Sequence, residues 1–309
     1  MSIDRSDVTG KRRVLGLFIR GLCMGTADVI PGVSGGTIAL ITGIYDDFVG
    51  ALASVNSRLF SGLFGGRFGQ VWTQLNGSFL LPLLTGIAVA IKVFARPVTF
   101  LLETYPVPFW GFLTGLIAAS AIVVGRRVSH WKVGLSFATL VGVVVGYFVS
   151  TAVPYKTGAE SYKFFLSGSV ASVAMILPGI SGSFILLLLG KYQQVFQAIA
   201  EMNLKIIATF GAGFVVGILS FAKLLKRLLA SYYGPTMTFL VGLMVGSLRR
   251  VWPFREPVDS VDGKGLAIED HYACTLPPEF TGEVLVTFVL TMVGAVLVFA
   301  IEAAASRRG

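Results

Sequence analysis

Two short stretches of this chain combine residue types and spacings suited to holding an anion. The first is Asp28-Val29-Ile30-Pro31-Gly32-Val33-Ser34-Gly35-Gly36-Thr37, and the second is Pro178-Gly179-Ile180-Ser181-Gly182-Ser183. In each, a proline removes a helical N–H and clashes with the preceding turn, while glycines loosen the backbone around it. A helix that stops and restarts inside an apolar region leaves backbone N–H groups unpaired at the restart. That end carries partial positive charge and favours anions, phosphate above all. Ser34 and Thr37 can add hydroxyl donors to the first restart, and Ser181 and Ser183 to the second. Two such ends facing each other make a cradle for one anionic headgroup. The competing reading is that the Gly and Ser residues only cap the breaks and let helices pack.

The charged residues of the first stretch also carry two readings. A charge at the bilayer centre costs about 2.5–3.5 kcal/mol on insertion scales, so it usually has a partner or a task. Arg20 either binds the phosphate or snorkels to the interface. Asp28 either holds Arg20 or exchanges a proton, or else caps the broken helix. Gly32-Val33-Ser34-Gly35-Gly36 also fits the G-x-S-x-G pattern of a hydrolase nucleophile, but that pattern needs a strand–turn–helix setting and a base. The flanks here are apolar helices, the histidines His130 and His271 fall in loops, and the second copy breaks the pattern. No clustering of His, Cys and carboxylates marks a metal centre.

The elements that must position these stretches are membrane helices. Apolar residues make up 54% of the chain and charged residues 13%, with a mean hydropathy of +0.79. Soluble domains carry nearer a quarter charged residues, so the composition specifies a polytopic membrane protein. The net charge of +9 then reports cytoplasmic loops rather than nucleic acid. Cys23 and Cys274 fit neither a zinc spacing nor a disulfide framework. Lys11-Arg12-Arg13 before an apolar run imitates a signal peptide, but no small-residue cleavage pattern follows, so removal is not expected. Expected full spans, each needing about 20 apolar residues, are 80–98, 108–125, 133–152, 206–223, 236–250 and 283–303. Residues 1–13 read as a frayed basic end, 53–79 as a Gly/Ser loop, and 251–282 as an acidic extracytoplasmic loop or small cap.

The chain also repeats itself. Pro31 and Pro178 are 147 residues apart, and at that offset Gly21 matches Gly168, Ser34 matches Ser181, Gly35 matches Gly182, and Tyr45 matches Tyr192. Further on, an offset of 127 residues matches Gly86 with Gly213, Pro108 with Pro235, and Gly115 with Gly242. This predicts one membrane domain over 1–309 built from two repeats, 14–152 and 162–303, each a re-entrant broken-helix hairpin plus three transmembrane helices. Basic-residue bias places both termini in the cytoplasm together with Arg126, Arg127, Lys132, Lys223, Lys226, Arg227, Arg307 and Arg308. Arg249, Arg250, Arg255 and Lys264 are the exceptions. Three crossings per repeat make the two repeats inverted, and paired Gly/Pro-interrupted segments in two halves point to a transporter's binding site. The pairs Gly111/Gly115, Gly142/Gly146, Gly213/Gly217 and Gly242/Gly246 read as helix-packing faces. Lys92, Lys191, Asp46, Asp47, Tyr45 and Tyr192 read as interface residues.

GTADVIPGVSGGTIALITGIYDDF together with AMILPGISGSFILLLLGKY resembles the PopT family of bacterial undecaprenyl-phosphate transporters, and the similarity extends over nearly the whole chain. The resemblance implies return of this polyprenyl-phosphate carrier from the outer to the inner leaflet of the cytoplasmic membrane, for reuse in peptidoglycan synthesis. The motif positions carried over are Asp28, Pro31, Gly32, Ser34, Gly35, Gly36 and Thr37, with Pro178, Gly179, Ser181, Gly182 and Ser183. Arg20 matches a basic position ahead of the first motif. Partners would be the polyprenyl-phosphate lipid and membrane lipids, with no nucleic acid. No cofactor is called for, and with no ATP-binding motif the drive would be a proton or sodium gradient, membrane potential or mass action. A small-ion channel or ion-coupled transporter built on the same broken helices is the alternative, and an intramembrane enzyme acting on polyprenyl phosphates stands third.

Overall fold

A computed structural model describes residues 5–30, 32–56, 59, 61–62, 65–128, 133–152, 158, 160–257, 272–277 and 279–306. Pro31, His130, Lys132, His271, Arg307, Arg308 and residues 258–271 and 278 of the acidic 251–282 loop, Lys264 included, lie outside the described residues.

In the first half run α1 (Arg5–Val29), α2 (Gly35–Ile41), α3 (Tyr45–Ala53), α4 (Phe68–Gln74), α5 (Gly77–Thr104), α6 (Pro106–Arg126) and α7 (Val133–Thr151). In the second run α8 (Ser161–Ile176), α9 (Gly182–Leu188), α10 (Tyr192–Ala200), α11 (Leu204–Ser231), α12 (Tyr233–Ser247) and α13 (Gly282–Ser306). A 3-10 turn, Leu248–Val251, follows α12, and two strands, β1 (Arg255–Pro257) and β2 (Tyr272–Cys274), pair antiparallel beyond it. Among the described residues, five helices are long and apolar enough to cross a membrane: Gly77–Thr104, Pro106–Arg126, Val133–Thr151, Leu204–Ser231 and Gly282–Ala304. This is a helical, polytopic membrane protein.

Three boundaries differ from the sequence reading. The expected span 236–250 is instead a 15-residue helix, α12, that hands over to the 3-10 turn. The basic N-terminal end is helical from Arg5, because α1 continues through the polar residues. The 53–79 loop contains α4 and releases into α5 at Gly77.

The two halves use the same parts. α2 and α9 are each 7 residues long, α3 and α10 each 9, and α5 and α11 each 28. α1 packs on α5 as α8 packs on α11. The last helix of each half crosses to the other half: α7 packs on α12, and α13 on α6.

Helix association inside a bilayer rests on close van der Waals packing, since lipid tails are as apolar as leucine. Glycine supplies the closeness at matched places. A β-carbon on Gly21 would run into Leu83 O, and one on Gly168 into Phe210 O. Across the halves, Gly115 lies on Thr291 O and Gly242 on Thr139 O, while Gly294 lies on Phe112 O and Gly142 on Phe239 O. The four small-residue pairs singled out in the sequence are therefore helix-packing faces.

Candidate functional site

Both Pro-Gly stretches break their helices as the sequence requires. After α1 the chain turns at Gly32 (φ +87°) and restarts at Gly35; after α8 it turns at Gly179 (φ +82°) and restarts at Gly182. Positive φ is open to glycine at little cost. The short helices then end alike. Gly43 (φ +72°) and Gly190 (φ +62°) close α2 and α9. Around them Ile44 N–H donates to Ala39 O at 3.0 Å, and Lys191 N–H to Leu186 O at 2.8 Å. These are Schellman caps, which satisfy carbonyls a helix end would otherwise orphan.

The two breaks touch each other. Ser34, 1% exposed, accepts from Gly36 N–H at 3.1 Å and donates to Met175 O at 3.2 Å. Thr37 Oγ1, fully buried, accepts from Gly179 N–H at 3.1 Å. Tyr45 Oη donates to Ile176 O at 3.1 Å. A β-carbon on Gly36 would come within 2.5 Å of Ile176 O, so the contact needs glycine there.

The restarts are finished differently. At α2, Asp28 Oδ1 accepts from Gly35 N–H at 2.7 Å, and a β-carbon on Gly35 would lie 2.7 Å from Oδ2. The matching residue in the second half is Met175, 147 positions from Asp28. Its Cγ would lie 2.6 Å from a β-carbon on Gly182. A thioether is a weak acceptor. Among the described residues, the Gly182 and Ser183 N–H groups have no acceptor, and the Ser181 and Ser183 hydroxyls bond to each other at 2.8 Å.

Of the residues singled out in the sequence, Asp28, Gly32, Ser34, Gly35, Gly36, Thr37, Gly179, Ser181, Gly182 and Ser183 therefore converge on this junction, with Pro178 buried beside it. Asp28 acts as a cap of α2. Arg20 stands apart: it is half-buried on α1. Eight residues of helix rise about 12 Å, and among the described residues Arg20 and Asp28 form no ion pair.

Other residues around the broken helices were read as something else in the sequence. Tyr45 is 3% exposed and holds the second break, so it is no interface anchor. Lys191 is fully buried. Its Nζ donates to Gly158 O at 2.5 Å and Gln194 Oε1 at 2.9 Å, above the Phe164 ring at 4.2 Å. Arg127 donates from both terminal nitrogens to Leu40 O (2.8 Å) and Ile41 O (2.9 Å). That places a cation where the α2 dipole is negative. Arg250 stacks on Phe184 at 4.3 Å, and its Cγ lies 3.0 Å from where a β-carbon on Gly32 would be. All four were visible only as basic or flanking residues; no sequence signal gives them these partners.

Paired broken helices meeting inside a helical polytopic framework define a membrane protein with a polar junction between its halves. The family described as undecaprenyl phosphate translocase-like matches residues 24–266. The chain belongs to that family. A polyprenyl-phosphate transporter of Vibrio cholerae serotype O1 (strain ATCC 39315 / El Tor Inaba N16961) is 40% identical over 242 residues, covering 78% of this chain and 79% of that protein. A polyprenyl-phosphate transporter of Staphylococcus aureus (strain NCTC 8325 / PS 47) is 31% identical over 254 residues, covering 76% and 85%. No solved structure matches the chain.

Proposed function

We propose that this protein is a transporter that returns undecaprenyl phosphate from the outer to the inner leaflet of the bacterial cytoplasmic membrane, recycling the lipid carrier of cell-wall synthesis without chemical change to it. The observation that carries the reading is the break-to-break junction. Ser34 and Thr37 of one broken helix hold the backbone of the other at Met175 and Gly179. Irregular backbone at membrane depth is tolerated where protein buries it or a wet cavity meets it. The names of the Vibrio and Staphylococcus relatives supply the substrate class.

In this reading the halves are inverted repeats, both termini are cytoplasmic, and the two broken helices are re-entrant hairpins. The headgroup lies at their junction against Gly32, Ser34, Gly35, Gly36, Thr37, Gly179, Ser181, Gly182 and Ser183, with Pro31 and Pro178 setting the breaks. Arg20 meets the phosphate on its way in, and the tail stays in lipid. Rocking of the halves opens the junction to one leaflet and then the other. An uneven contact supports such rocking: α3 packs on α11, while the matching pair, α10 and α5, packs far less closely. Asp28 is the candidate for proton coupling. Replacing Asp28 by Asn should flatten the pH dependence of transfer, and an unchanged profile would remove that role.

The test is leaflet transfer of undecaprenyl phosphate by the purified protein in liposomes, with ion flux recorded in parallel. Protein-dependent transfer without added ATP is the expected result. Ion flux with no lipid transfer under any gradient would replace the reading by the channel alternative.

A further inference from the structure

α6 and α12 hold matching places in the two halves, and each packs its glycines against a different partner. Gly111 and Gly115 of α6 lie on α13, while Gly242 and Gly246 of α12 lie on α7. Where α6 and α12 face each other the packing is open. A furrow of about 460 Å³ runs between them, lined by Ala118, Ala121 and Gly125 on one side and Val241, Val245 and Leu248 on the other. Both sets recur at three- and four-residue steps, so each occupies one helix face. Seven residues of helix make the furrow about 10 Å long. Thr114 Oγ1 donates to Val251 O at 2.7 Å and ties the two walls together beyond the Ala118 end. At the rim, Ile122 and Val245 are exposed, so the furrow opens sideways.

The walls are unlike. At the 127-residue offset Ala118 matches Val245 and Ala121 matches Leu248. Small residues on α6 therefore keep open a space that branched residues on both sides would fill. The ends are unlike too. Arg126, the last residue of α6, lines the furrow beside Gly125, and the matching position holds Pro253. Arg126 is exposed, its guanidinium lies 5.5 Å from the Phe299 ring centre, and among the described residues it forms no ion pair. A guanidinium stacked by its face keeps its donors in the plane, in a fork that matches phosphate oxygens in pairs.

An apolar trough with one anion-binding group at its end has the shape of a single-chain lipid with an anionic head, and apolar lining with few placed polar groups is usual for a ligand site of this size. In the reading above, Arg126 stands on the cytoplasmic side. The furrow then runs from headgroup level toward mid-membrane, as a lipid of the inner leaflet lies. A prenyl chain bears a methyl branch on every unit, and the small residues of α6 leave depth for such branches. We propose that this furrow is the departure site of the transported lipid, with the polyprenyl phosphate headgroup on Arg126 and its first prenyl units between α6 and α12. The inference rests on the transport reading. A departure site must let its lipid go, so it binds more weakly than the junction of the breaks.

The experiment uses undecaprenyl phosphate with a photoreactive group on a prenyl unit near the phosphate, cross-linked to the protein in phosphatidylcholine liposomes. Native protein is compared with Arg126→Gln, Ala118→Leu and, as a control for lost charge, Lys226→Gln. Cross-links at 28–37 and 178–184 report the junction, and those at 118–126 and 241–245 report the furrow. Native protein should give both. Unlabelled undecaprenyl phosphate should compete for the furrow, while undecaprenol and phosphatidylglycerol at the same concentration should not. Arg126→Gln should lower the furrow cross-links roughly tenfold and keep those at the junction. Ala118→Leu, which fills the furrow with the charge intact, should do the same. Lys226→Gln should stay within roughly twofold of native. Furrow cross-links at native yield in Arg126→Gln or Ala118→Leu, equal competition by undecaprenol or phosphatidylglycerol, or junction cross-links with none in the furrow would each overturn the inference. Absence of competed cross-links at both places would overturn the transport reading on which it rests.

Discussion

The two broken helices have the same turn, the same short-helix length and the same glycine cap, yet they differ at the residue that closes the restart. The first half puts Asp28 on Gly35 N–H, and the second puts Met175 against Gly182. The first half also has Gly36 where Ile176 O comes close, and the second has Ser183 in that place. Shared positions therefore build the breaks, and differing positions divide the labour. One break is sealed and grips its neighbour; the other keeps backbone donors and hydroxyls at its first turn.

Exchanging residues between the halves tests this division. The largest effect should come from Gly36→Ser, which drives a β-carbon into Ile176 O. Overpacking of this kind costs about 1–3 kcal/mol, and a backbone obstacle puts the change near the top of that range. The reverse change, Ser183→Gly, should cost under about 1 kcal/mol, the backbone-entropy penalty of a helical glycine. Unfolding in detergent compares the two.

Arg127→Gln comes next. It removes a charged clamp on Leu40 O and Ile41 O, and hydrogen bonds to charged groups contribute about 1.5–3 kcal/mol. The second half has Phe254 at the matching position, so no such loss is available there. Loss of stability with faster hydrogen exchange confined to α2 is the expected signature.

Asp28→Met would finish the first break as the second is finished. Leaving Gly35 N–H buried without an acceptor costs about 1–3 kcal/mol. The opposite change, Met175→Asp, would cap Gly182 and bring a carboxylate to where the phosphate is proposed to bind. It should leave stability near native while lowering lipid transfer roughly tenfold. Native transfer by Met175→Asp would show that the difference between the halves has no bearing on the substrate.

The smallest effect separates the matched tyrosines. Tyr45→Phe loses the bond to Ile176 O and should cost about 1 kcal/mol. Tyr192 has only the Phe196 ring at 4.6 Å as a described partner, so Tyr192→Phe should change stability by less than about 0.5 kcal/mol.

Much of this was legible in the sequence, because proline and glycine inside an apolar run admit few structures. The Pro-Gly stretches had to break, and their offset exposed two halves before any packing was known. The small-residue pairs could be read for the same reason: four-residue spacing puts both glycines on one helix face. Tyr45 and Lys191 misled because residues flanking an apolar segment usually anchor at an interface. Here the segments are the 7-residue helices α2 and α9, which end inside the protein and take their flanking residues with them. The partners of Arg127 and Arg250 were hidden for a related reason. Charge bias counts a cation by its place along the chain, and only the register of α12 on α6 and of α6 on α2 shows where these two arrive. Asp28 was read as a partner of Arg20, a proton carrier or a cap, and the bond it accepts from Gly35 N–H is a capping contact that the sequence alone did not select.

The central claim is that the lipid phosphate occupies the junction of the two breaks. It is tested most directly with an undecaprenyl phosphate carrying a photoreactive group next to the phosphate, cross-linked to the native protein in liposomes and mapped by mass spectrometry. Cross-links concentrated in residues 28–37, 178–184 and 247–251, and competed by unlabelled undecaprenyl phosphate, are the predicted result. Cross-links spread over the lipid-facing surfaces of α5 and α13, with none at the junction, would contradict it.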